Sequence, residues 1–329
     1  MKALVTGAGG FLGQYIVEQL LARGDGVRAL VRRPHAELAA LGAEIARGDI
    51  RSAVDVERAC EGIETVFHTA AIASLWGPWK LFYETNTVGT RNVITACRAQ
   101  RVPKLVFTSS PSVTFGGQDQ CGIDESAPYP TQWLAHYPHT KALAEQEVLA
   151  ANDVHLATCS LRPHLIWGPR DQHLIPRLLE RARHGQLRQV GDGRNLVDTI
   201  YVENAAEAHL QAAAALAPGS PVAGQAYFLS QGEPVNCWEW INEILVLAGI
   251  KPVNRRIPLR VAYTAGAMLE TLWSLTGRAS EPRMTRFLAL QLATSHYFDV
   301  RKARNDFGYA PRISLAAGMR RLASSIQTS

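Results

Sequence analysis

One tyrosine and one lysine of this sequence have a spacing that supports proton transfer. Tyr137 and Lys141 lie four residues apart in a segment that fits a helix, so both side chains project from one helix face. A phenol, with a pKa of about 10, exchanges protons poorly at neutral pH, but a neighbouring ammonium lowers that pKa and makes transfer to a carbonyl feasible. The chain has only six lysines, and no other lysine follows a tyrosine at this spacing. The alternative is a surface helix whose tyrosine packs on the core while its lysine is solvated.

Hydroxyl side chains end an apolar strand that precedes this helix. Val106 and Phe107 lead into Thr108, and Ser110 and Ser112 follow within four residues. Ligands of parallel sheets bind at the carboxyl ends of the strands, where such hydroxyls can donate hydrogen bonds to a substrate oxygen. The alternative is that these serines only cap and turn the chain. Together with the tyrosine helix, the run favours a catalytic site.

A glycine-rich turn follows the first predicted strand. Gly7, Gly10 and Gly13 have the spacing G-x-x-G-x-x-G between a strand and a helix. Gly7 permits a tight turn, Gly10 lets the backbone approach a pyrophosphate, and Gly13 lets helix and strand pack closely. The alternative is a generic strand-to-helix connection, but the context favours a dinucleotide site.

Two arginines at the end of the second strand indicate which dinucleotide is bound. Val31 occupies the position of the acidic residue that accepts from the ribose of NAD, and Arg32 and Arg33 follow it. A planar guanidinium suits the 2′-phosphate of NADP, so we predict NADP(H); the alternative is two solvated loop arginines. After the third strand, Asp49 and Ile50 could bracket the adenine, although Asp49 could equally cap a helix.

The elements that position these residues alternate between strand and helix. Such alternation predicts an α/β fold of the Rossmann type, a doubly wound parallel sheet with helices on both faces. We place the NADP-binding domain at residues 1–170, completed by about 194–235. Residues 171–193 and 236–329 form a smaller, mostly helical substrate lobe. The predicted strands are 2–6, 26–31, 44–47, 65–68, 104–108 and 156–161, and the predicted helices are 10–23, 53–60, 82–100 and 137–151.

Composition excludes several classes of protein. The net charge of +5 comes from scattered arginines without a run of like charges, so we expect no nucleic-acid partner.

The stretch 259–277 contains charges and fits an amphipathic helix facing the core or a partner subunit, with a membrane surface as the alternative. No signal peptide fits the N-terminus. The chain has five cysteines, which are widely spaced and never form a Cys-x-x-Cys pair: Cys60, Cys97, Cys121, Cys159 and Cys237. We therefore expect a cytoplasmic protein with reduced thiols and no metal.

The glycine turn, the hydroxyl strand end and the tyrosine-lysine helix, in this order, resemble the extended short-chain dehydrogenase/reductase family. Supporting matches are His68–Ala71, Asn86–Asn92 and Leu161–Pro169, and the resemblance covers essentially the whole chain. It implies a catalytic triad of Ser110, Tyr137 and Lys141. It also implies that the cofactor is contacted by Gly7, Gly10, Phe11, Leu12, Gly13, Arg32, Arg33, Asp49, Ile50, Thr69, Ala70, Ala71, Tyr137, Lys141, Pro163 and His164.

Residues 191–204 are similar to the 3β-hydroxysteroid dehydrogenase branch of that family. Sugar-nucleotide epimerases usually carry arginine where this chain has Val197, which weakens an epimerase interpretation. Within the branch, other segments look like bacterial reductases of 2-alkyl-3-oxoalkanoates in olefin biosynthesis. The resemblance implies NADPH-dependent reduction of the 3-keto group of a long-chain acid by a homodimer, with a possible peripheral membrane contact or a complex with other enzymes of the pathway. Threonine is common at the position of Ser110 in those reductases, so Ser112 is a competing donor.

Substrate contacts follow from the same interpretation. Four tryptophans are candidates for an apolar tunnel, with plain core as the alternative: Trp76, Trp79, Trp133 and Trp167. Arg170 and His173 are candidates for binding the substrate carboxylate, with surface placement as the alternative. Other functions left open are a steroid or sterol dehydrogenase, a sugar-nucleotide epimerase or dehydratase, and a non-catalytic NADPH sensor.

Overall fold

The computed structural model describes residues 1–278 and 280–327. Fifteen strands lie along these residues, namely β1 Lys2–Thr6, β2 Gly26–Val31, β3 Glu44–Arg47, β4 Thr65–His68, β5 Lys104–Thr108, β6 Gln120–Ile123, β7 Ala157–Pro163, β8 Ile166–Trp167, β9 Gln189–Val190, β10 Leu196–Val197, β11 Ile200–Tyr201, β12 Gln225–Leu229, β13 Val235–Asn236, β14 Arg256–Ile257 and β15 His296–Phe298. The α-helices in the same part are α1 Phe11–Ala22, α2 Ala36–Ala40, α3 Ala53–Cys60, α4 Trp79–Phe82, α5 Gly89–Ala99, α6 His136–Ala150, α7 Leu174–Arg183, α8 Val202–Ala215, α9 Cys237–Leu247, α10 Leu259–Thr276, α11 Arg286–Gln291, α12 Arg301–Phe307 and α13 Leu315–Gln327.

The central sheet has seven parallel strands in the order β12-β7-β5-β4-β1-β2-β3. Its inner strands are mostly apolar and buried because helices cover both faces, as expected of a parallel sheet, while the edge strand β3 is partly exposed. The order reverses beside β1, where open α/β sheets form their ligand crevice at the carboxyl ends of the strands. The predicted doubly wound Rossmann fold is confirmed, and each predicted strand and helix lies within three residues of an observed one.

Two layers of helices enclose the sheet. On one face, α1 and α8 pack together, and Ile16 and Leu20 of α1 join the same apolar cluster as Ala205 of α8. On the other face, α3, α5 and α6 bury Val56, Val93 and their neighbours against the sheet. Both layers therefore position the carboxyl ends of β1, β4 and β5 at one edge.

A third apolar cluster lies outside the sheet, among α7, α9 and the short strands. Trp167 is fully buried in this cluster, with ring centroids 5.3 Å from Tyr201 and 6.0 Å from Trp240. It is core, as the alternative interpretation held, and it lines no tunnel. Residues 225–229 add β12 to the central sheet beside β7, while the proposed boundary between the two lobes remains a prediction.

One helix of the sheet layer changes its hydrogen-bond pattern along its length. Residues 79–99 run continuously through α4, a π-helical stretch Tyr83–Val88 and α5. Such stretches are rare, occur inside α-helices and are frequent at functional sites. This one faces α6, the helix that carries Tyr137. Among the described residues, no helix is both long and apolar enough to span a bilayer.

Candidate active site

The hydroxyl run lies directly beyond β5. Ser110 caps a short 3-10 helix, Pro111–Thr114, and its Oγ accepts from the backbone N–H of Ser112 at 3.2 Å. The two serine hydroxyls are hydrogen-bonded to each other at 2.9 Å, and both are half-buried. Of the two, it is the Ser110 hydroxyl that acts on the phenol of Tyr137, opposing the rise that burial causes in its pKa. This effect on the pKa of Tyr137 favours Ser110 over Ser112 as its partner.

Tyr137 and Lys141 lie in the first two turns of α6, on the face toward β5. Lys141 is 2% exposed, and its Nζ donates to the carbonyl oxygen of Thr108 at 2.6 Å and lies 3.9 Å from the ring centroid of Phe107. Burial lowers the pKa of Lys141 to about 7, against the attraction of Glu145. The ammonium and the phenol therefore end at the same strand terminus as Ser110.

The pKa of Tyr137 differs from the expectation. The spacing predicted that Lys141 would depress this pKa, but burial raises it, and Ser110 offsets only part of that rise. The reason is geometric, since Nζ of Lys141 is directed at the Thr108 carbonyl and its own charge is disfavoured by burial. With its pKa raised, Tyr137 is protonated at neutral pH, so the proton that it would donate is present.

The π-helical stretch fixes the start of α6. The Asn86 amide donates to the hydroxyl of Thr140 at 3.1 Å and to the carbonyl of Ile72, while its oxygen accepts from the backbone N–H of Ile72 at 2.8 Å. Thr87 donates to the Thr140 carbonyl at 3.0 Å. These bonds join the loop after β4 to the turn that carries Tyr137.

A histidine at the end of β4 connects this helix to the glycine turn. Nε2 of His68 lies 2.9 Å from the hydroxyl of Thr90, which itself donates to the Asn86 carbonyl. His68 must then donate through Nε2 and accept through Nδ1 from the hydroxyl of Thr6, 2.6 Å away. Burial lowers the pKa of His68 to about 3, with Lys141 adding to the effect, so the ring is neutral.

The glycine turn is shaped for a close ligand. Gly7 has a φ of +70°, and a Cβ there would lie 2.7 Å from the backbone nitrogen of Ala70. A Cβ on Gly13 would lie 2.2 Å from the Gly7 carbonyl oxygen, so neither position accepts a side chain. Gly10 provides no side-chain cap for α1, which leaves the first N–H groups of that helix open to an anion.

The neighbours of this turn are those expected from the resemblance. Thr69 donates to the Thr6 carbonyl at 2.8 Å, and Ala70 follows beside Gly7, with Ala71 exposed beyond it. Phe11 and Leu12 are almost fully buried at the start of α1. The turn and the end of β4 thus form one groove, and the residues present fit the pyrophosphate of a dinucleotide.

An open pocket of about 520 Å³ lies at the ends of β2 and β3. It is lined by Arg32, Arg47, Gly48, Asp49, Asp55 and Arg58. The Asp49 carboxylate is held by Arg51 at 2.7 Å, which lowers its pKa, and Ile50 is buried against Gly89. Arg33 is exposed and does not line this pocket, so the two predicted arginines are not equivalent.

His35 is a residue near the cofactor groove that sequence reasoning missed. The His35 ring packs close to Gly9, since a Cβ added to that glycine would lie 3.1 Å from the ring. Nε2 of His35 lies 3.3 Å from the amide nitrogen of Gln14. Its Nδ1 is buried without a hydrogen-bond partner in the described part of the chain. The only signal in the sequence was its place directly after the arginine pair and Pro34.

Beyond β7 the chain enters a buried polar region. Pro163 pairs with Leu229 of β12, and Nε2 of His164 lies 2.7 Å from Nδ1 of His296. Nε2 of His296 faces the Gln291 carbonyl at 2.8 Å, so His296 donates to Gln291 and His164 donates to His296. Burial lowers the pKa of both imidazoles. His164 is thus fixed as a neutral ring next to Phe298, and its contact with a cofactor remains a prediction.

The proposed substrate residues divide into two groups. Trp79 and Trp133 enclose the ring of His139, with centroids 4.8 and 4.9 Å away, on the side of α6 that carries neither Tyr137 nor Lys141. The Trp76 indole N–H donates to the Arg278 carbonyl at 3.2 Å, so the loop after β4 contacts the end of α10. These three side chains stay candidates for apolar contacts.

Arg170 is not free for a substrate carboxylate. Its guanidinium contacts both carboxylate oxygens of Glu18, at 2.5 and 2.8 Å, and lies 4.0 Å from the ring centroid of Tyr15. A partner of this kind was not visible from the sequence because Glu18 lies 152 residues away. His173 is exposed at the start of α7.

The chain is similar in sequence to several dehydrogenases and reductases. It is 49% identical to the 2-alkyl-3-oxoalkanoate reductase of Stenotrophomonas maltophilia (strain K279a) over 99% of each protein. Identity to the 2-alkyl-3-oxoalkanoate reductase of Shewanella oneidensis is 47%, over 98% of this chain and 86% of that protein. Identity to the decarboxylating sterol-4-alpha-carboxylate 3-dehydrogenase of Mus musculus is 35%, over 98% of this chain and 90% of that protein.

Solved structures of similar fold include the UDP-glucose 4-epimerase of Thermus thermophilus in complex with NAD. It superposes with a TM-score of 0.74 and 25% identity over all of both chains. MoeE5 in complex with UDP-glucose and NAD superposes with a TM-score of 0.76 and 25% identity, over 100% of this chain and 99% of that one. These structures share the extended short-chain dehydrogenase/reductase fold.

A sequence profile of the 3-beta hydroxysteroid dehydrogenase/isomerase family matches residues 4–260. This match covers the glycine turn, the end of β5 and the tyrosine helix α6 in one continuous stretch. Together with the relatives above, it makes the resemblance seen in the sequence a family relationship. The chain belongs to the 3-beta hydroxysteroid dehydrogenase/isomerase family of extended short-chain dehydrogenases/reductases and is an oxidoreductase acting on CH–OH groups.

Proposed function

We propose that the protein is an NADPH-dependent reductase that converts the 3-keto group of a long-chain 2-alkyl-3-oxoalkanoic acid into a 3-hydroxy acid. The main structural support for this proposal is that Ser110, Tyr137 and Lys141 lie together at the end of β5. Support for the substrate class comes from the relatives in Stenotrophomonas and Shewanella, whose name is 2-alkyl-3-oxoalkanoate reductase. A role in olefin biosynthesis is part of the same proposal.

The residues present divide the chemistry between them. A nicotinamide cofactor, when bound, supplies the hydride for the carbonyl carbon. Tyr137 donates its proton to the carbonyl oxygen as negative charge develops there, and Ser110 donates a hydrogen bond to the same oxygen. Lys141 would hold the nicotinamide ribose, since its ammonium donates to Thr108 and retains further N–H groups. The phenolate left on Tyr137 is favoured by the Ser110 hydroxyl, which lowers the pKa of Tyr137.

A sterol or steroid alcohol is the second candidate substrate. The sterol-4-alpha-carboxylate 3-dehydrogenase of Mus musculus, at 35% identity, supports this alternative, and the same three residues would serve it. A sugar nucleotide is disfavoured because Val197 is fully buried in β10 and offers no cation to a diphosphate.

A substrate panel run with NADPH and with NADH tests the proposal. We expect turnover of a long-chain 2-alkyl-3-oxo acid to exceed turnover of a 3β-hydroxysteroid by at least about tenfold in kcat/KM, with NADPH preferred. Faster turnover of the steroid would move the assignment to the second candidate. Cofactor binding without oxidation by any ketone or alcohol of the panel would favour the sensor interpretation.

The preference for NADPH should depend on Arg32. This residue lines the pocket at the ends of β2 and β3 together with Arg47 and Arg58, and neither Arg32 nor Arg47 has an ion-pair partner among the described residues. We expect Arg32→Gln to raise the KM for NADPH about tenfold or more while leaving the KM for NADH nearly unchanged, since only NADPH carries the 2′-phosphate.

Steady-state kinetics with both cofactors measure this effect. Arg101→Gln is the matched control, because Arg101 is exposed before β5, at the opposite edge of the sheet. If Arg32→Gln raised the KM for NADPH and for NADH equally, or raised neither, the result would contradict the role of Arg32.

A further inference from the structure

Five hydroxyl side chains lie between the last residue of β5 and the end of the 3-10 helix that follows it: Thr108, Ser109, Ser110, Ser112 and Thr114. Three of them are buried or bonded within the fold. The Thr108 hydroxyl lies 2.8 Å from Nε2 of His209, and Ser109 is only 4% exposed. The Thr114 hydroxyl donates to the Pro111 carbonyl at 3.0 Å. Within residues 1–278 and 280–327, the Ser112 hydroxyl has the Ser110 hydroxyl as its only hydrogen-bond partner.

The hydroxyls of Ser110 and Ser112 are held close together by the backbone. Their oxygens lie 2.9 Å apart, and Oγ of Ser110 also accepts from the backbone N–H of Ser112 at 3.2 Å. Both side chains therefore belong to one short hydrogen-bonded turn, in which Ser110 is the cap. Each hydroxyl has one proton, so the pair can donate one hydrogen bond to each of two ligand oxygens that lie side by side.

A 3-oxo acid carries two oxygens with this relationship. Its keto carbon and its carboxyl carbon are attached to the same carbon atom. Standard bond lengths therefore allow the keto oxygen and one carboxylate oxygen to lie about 3 Å apart on one side of the molecule. This separation matches that of the two serine oxygens, so each serine can bind one oxygen of the acid at the same time.

We propose that the Ser112 hydroxyl binds the substrate carboxylate while the Ser110 hydroxyl binds the keto oxygen. Ser112 is then a specificity residue, which selects 3-oxo acids over ketones that have no carboxylate on the neighbouring carbon. A hydrogen bond to a carboxylate is stronger than one between neutral groups, which gives a single hydroxyl a measurable effect. This inference rests on the proposed function, because a substrate without that carboxylate offers Ser112 no partner.

The charges around the two serines are compatible with a bound carboxylate. Tyr137 is protonated at neutral pH, and the amine of Lys141, a cation when protonated, ends at the same strand terminus. Helix α6, which is described over its whole length, has two acidic residues, Glu145 and Glu147. Each of them is paired with an arginine. The helix that carries the catalytic residues therefore presents no free negative charge to the carboxylate.

The two residues that the sequence suggested for the carboxylate fit this role less well. Arg170 is paired with Glu18 of α1, the helix that follows the glycine turn. His173 is exposed at the start of α7. Because the carboxylate of a 3-oxo acid lies next to the reacting carbon, its binding residue must lie next to Ser110. Ser112 meets this condition, since the two hydroxyls are in direct contact.

Alcohol oxidation by the full chain tests the proposal, because 3-hydroxy acids, unlike 3-oxo acids, do not decarboxylate in solution. The two probes are a long-chain 2-alkyl-3-hydroxy acid and the secondary alcohol of the same chain in which hydrogen replaces the carboxyl group. Both probes present the same hydroxyl to Ser110 and Tyr137, but only the acid presents a carboxylate to Ser112. The measured quantity is the ratio of kcat/KM for the acid to kcat/KM for the alcohol, with NADP⁺ and with NAD⁺.

Ser112→Ala should lower this ratio about tenfold or more, because the acid loses a hydrogen bond to its charged group that the alcohol never makes. Ser110→Ala, in contrast, should lower kcat/KM for both probes, since the reacting oxygen is common to them. Ser126→Ala is the matched control. Ser126 is exposed in the loop after β6, and its removal should change neither value of kcat/KM.

Two results for Ser112→Ala would overturn the proposal. Equal fractional losses for the acid and the alcohol would assign Ser112 to the catalytic or structural machinery that both probes share, and no loss for either would remove it from the site. Failure of the proposed function looks different and is seen with the wild type alone. An enzyme that oxidises a 3β-hydroxysteroid but not the 3-hydroxy acid would overturn that function, and this inference with it, before any variant is made.

Discussion

Tyr137→Phe should lose nearly all ketone reduction, by a factor of about 10² to 10⁴ in kcat, while cofactor affinity stays within a few fold. In the proposed mechanism the phenol is the proton donor, and phenylalanine has no hydroxyl proton to supply. The ring itself remains, and the packing of α6 against β5 should be preserved. Single-turnover reduction and NADPH fluorescence titration measure the two quantities separately.

Tyr297→Phe is the matched control for this substitution. Tyr297 lies in β15, which pairs with β6 and β10 outside the central sheet, so removal of its hydroxyl should leave kcat within about twofold. A Tyr137→Phe enzyme with more than a tenth of the wild-type kcat would remove Tyr137 from the mechanism. Loss of cofactor binding in that variant would indicate instead a structural role for the hydroxyl.

Arg162→Met should destabilise the fold by about 3–5 kcal/mol, because it leaves a buried carboxylate without its cation. Glu145 and Arg162 are 0% and 3% exposed, and Nε and Nη2 of Arg162 donate to both oxygens of Glu145 at 2.7 to 3.2 Å. Ser160 and Tyr129 donate to the same carboxylate at 2.6 and 2.8 Å. Urea unfolding followed by circular dichroism gives the free energy of unfolding.

This loss should depend on pH in a defined direction. Burial by itself would raise the pKa of Glu145, but Arg162 and its hydroxyl partners hold it below the usual range in the native protein. Without Arg162 the folded state favours the neutral carboxyl, so its pKa rises above the value of about 4.3 in the unfolded chain. As pH falls through this range, protonation of Glu145 lowers the stability of the wild type and raises that of the variant. The difference between their free energies of unfolding therefore shrinks. A difference that grew on acidification would contradict the role of the pair.

Two further variants isolate the cause of that loss. Replacing both partners, Glu145→Leu with Arg162→Met, should recover most of the stability, because no charge is then left in the interior. Arg91→Met is the exposed counterpart, since Arg91 and Glu147 form a similar pair at the surface, and it should cost at most about 1 kcal/mol. Equal losses for Arg91→Met and Arg162→Met would show that burial of Glu145 is not what matters.

The sequence predicted those features that follow from local chemistry. The glycine turn, the hydroxyl run after β5 and the spacing of Tyr137 and Lys141 each lie within a few consecutive residues, and the structure brings all three to one edge of the sheet. Alternating strand and helix patterns over residues 1–170 likewise predicted the order of elements, because periodicity is a property of neighbouring residues.

Features that depend on distant partners could not be predicted in this way. Arg170 was a candidate for binding a carboxylate, but in the fold it is paired with Glu18. Trp167 is core because Tyr201 and Trp240 pack against it. The sign of the pKa shift of Tyr137 depends on how completely the site is buried, which spacing along a helix does not indicate. His35 reaches the glycine turn only through the fold of the loop after β2.

The π-helical stretch at 83–88 makes the helix around it sensitive to length. A π-turn holds one residue more than an α-turn, so residues after it are rotated by about 100° from where an unbroken α-helix would put them. Here the stretch allows Asn86 and Thr87 to bond Thr140 while Val93 and Cys97 pack against the sheet. Deletion of a single residue from this stretch would rotate the residues after it. The helix could then keep either the bonds of Asn86 and Thr87 to Thr140 or the packing of Val93 and Cys97 against the sheet, but not both. Length in this segment is therefore as constrained as residue identity, and related sequences should align through it without insertions or deletions.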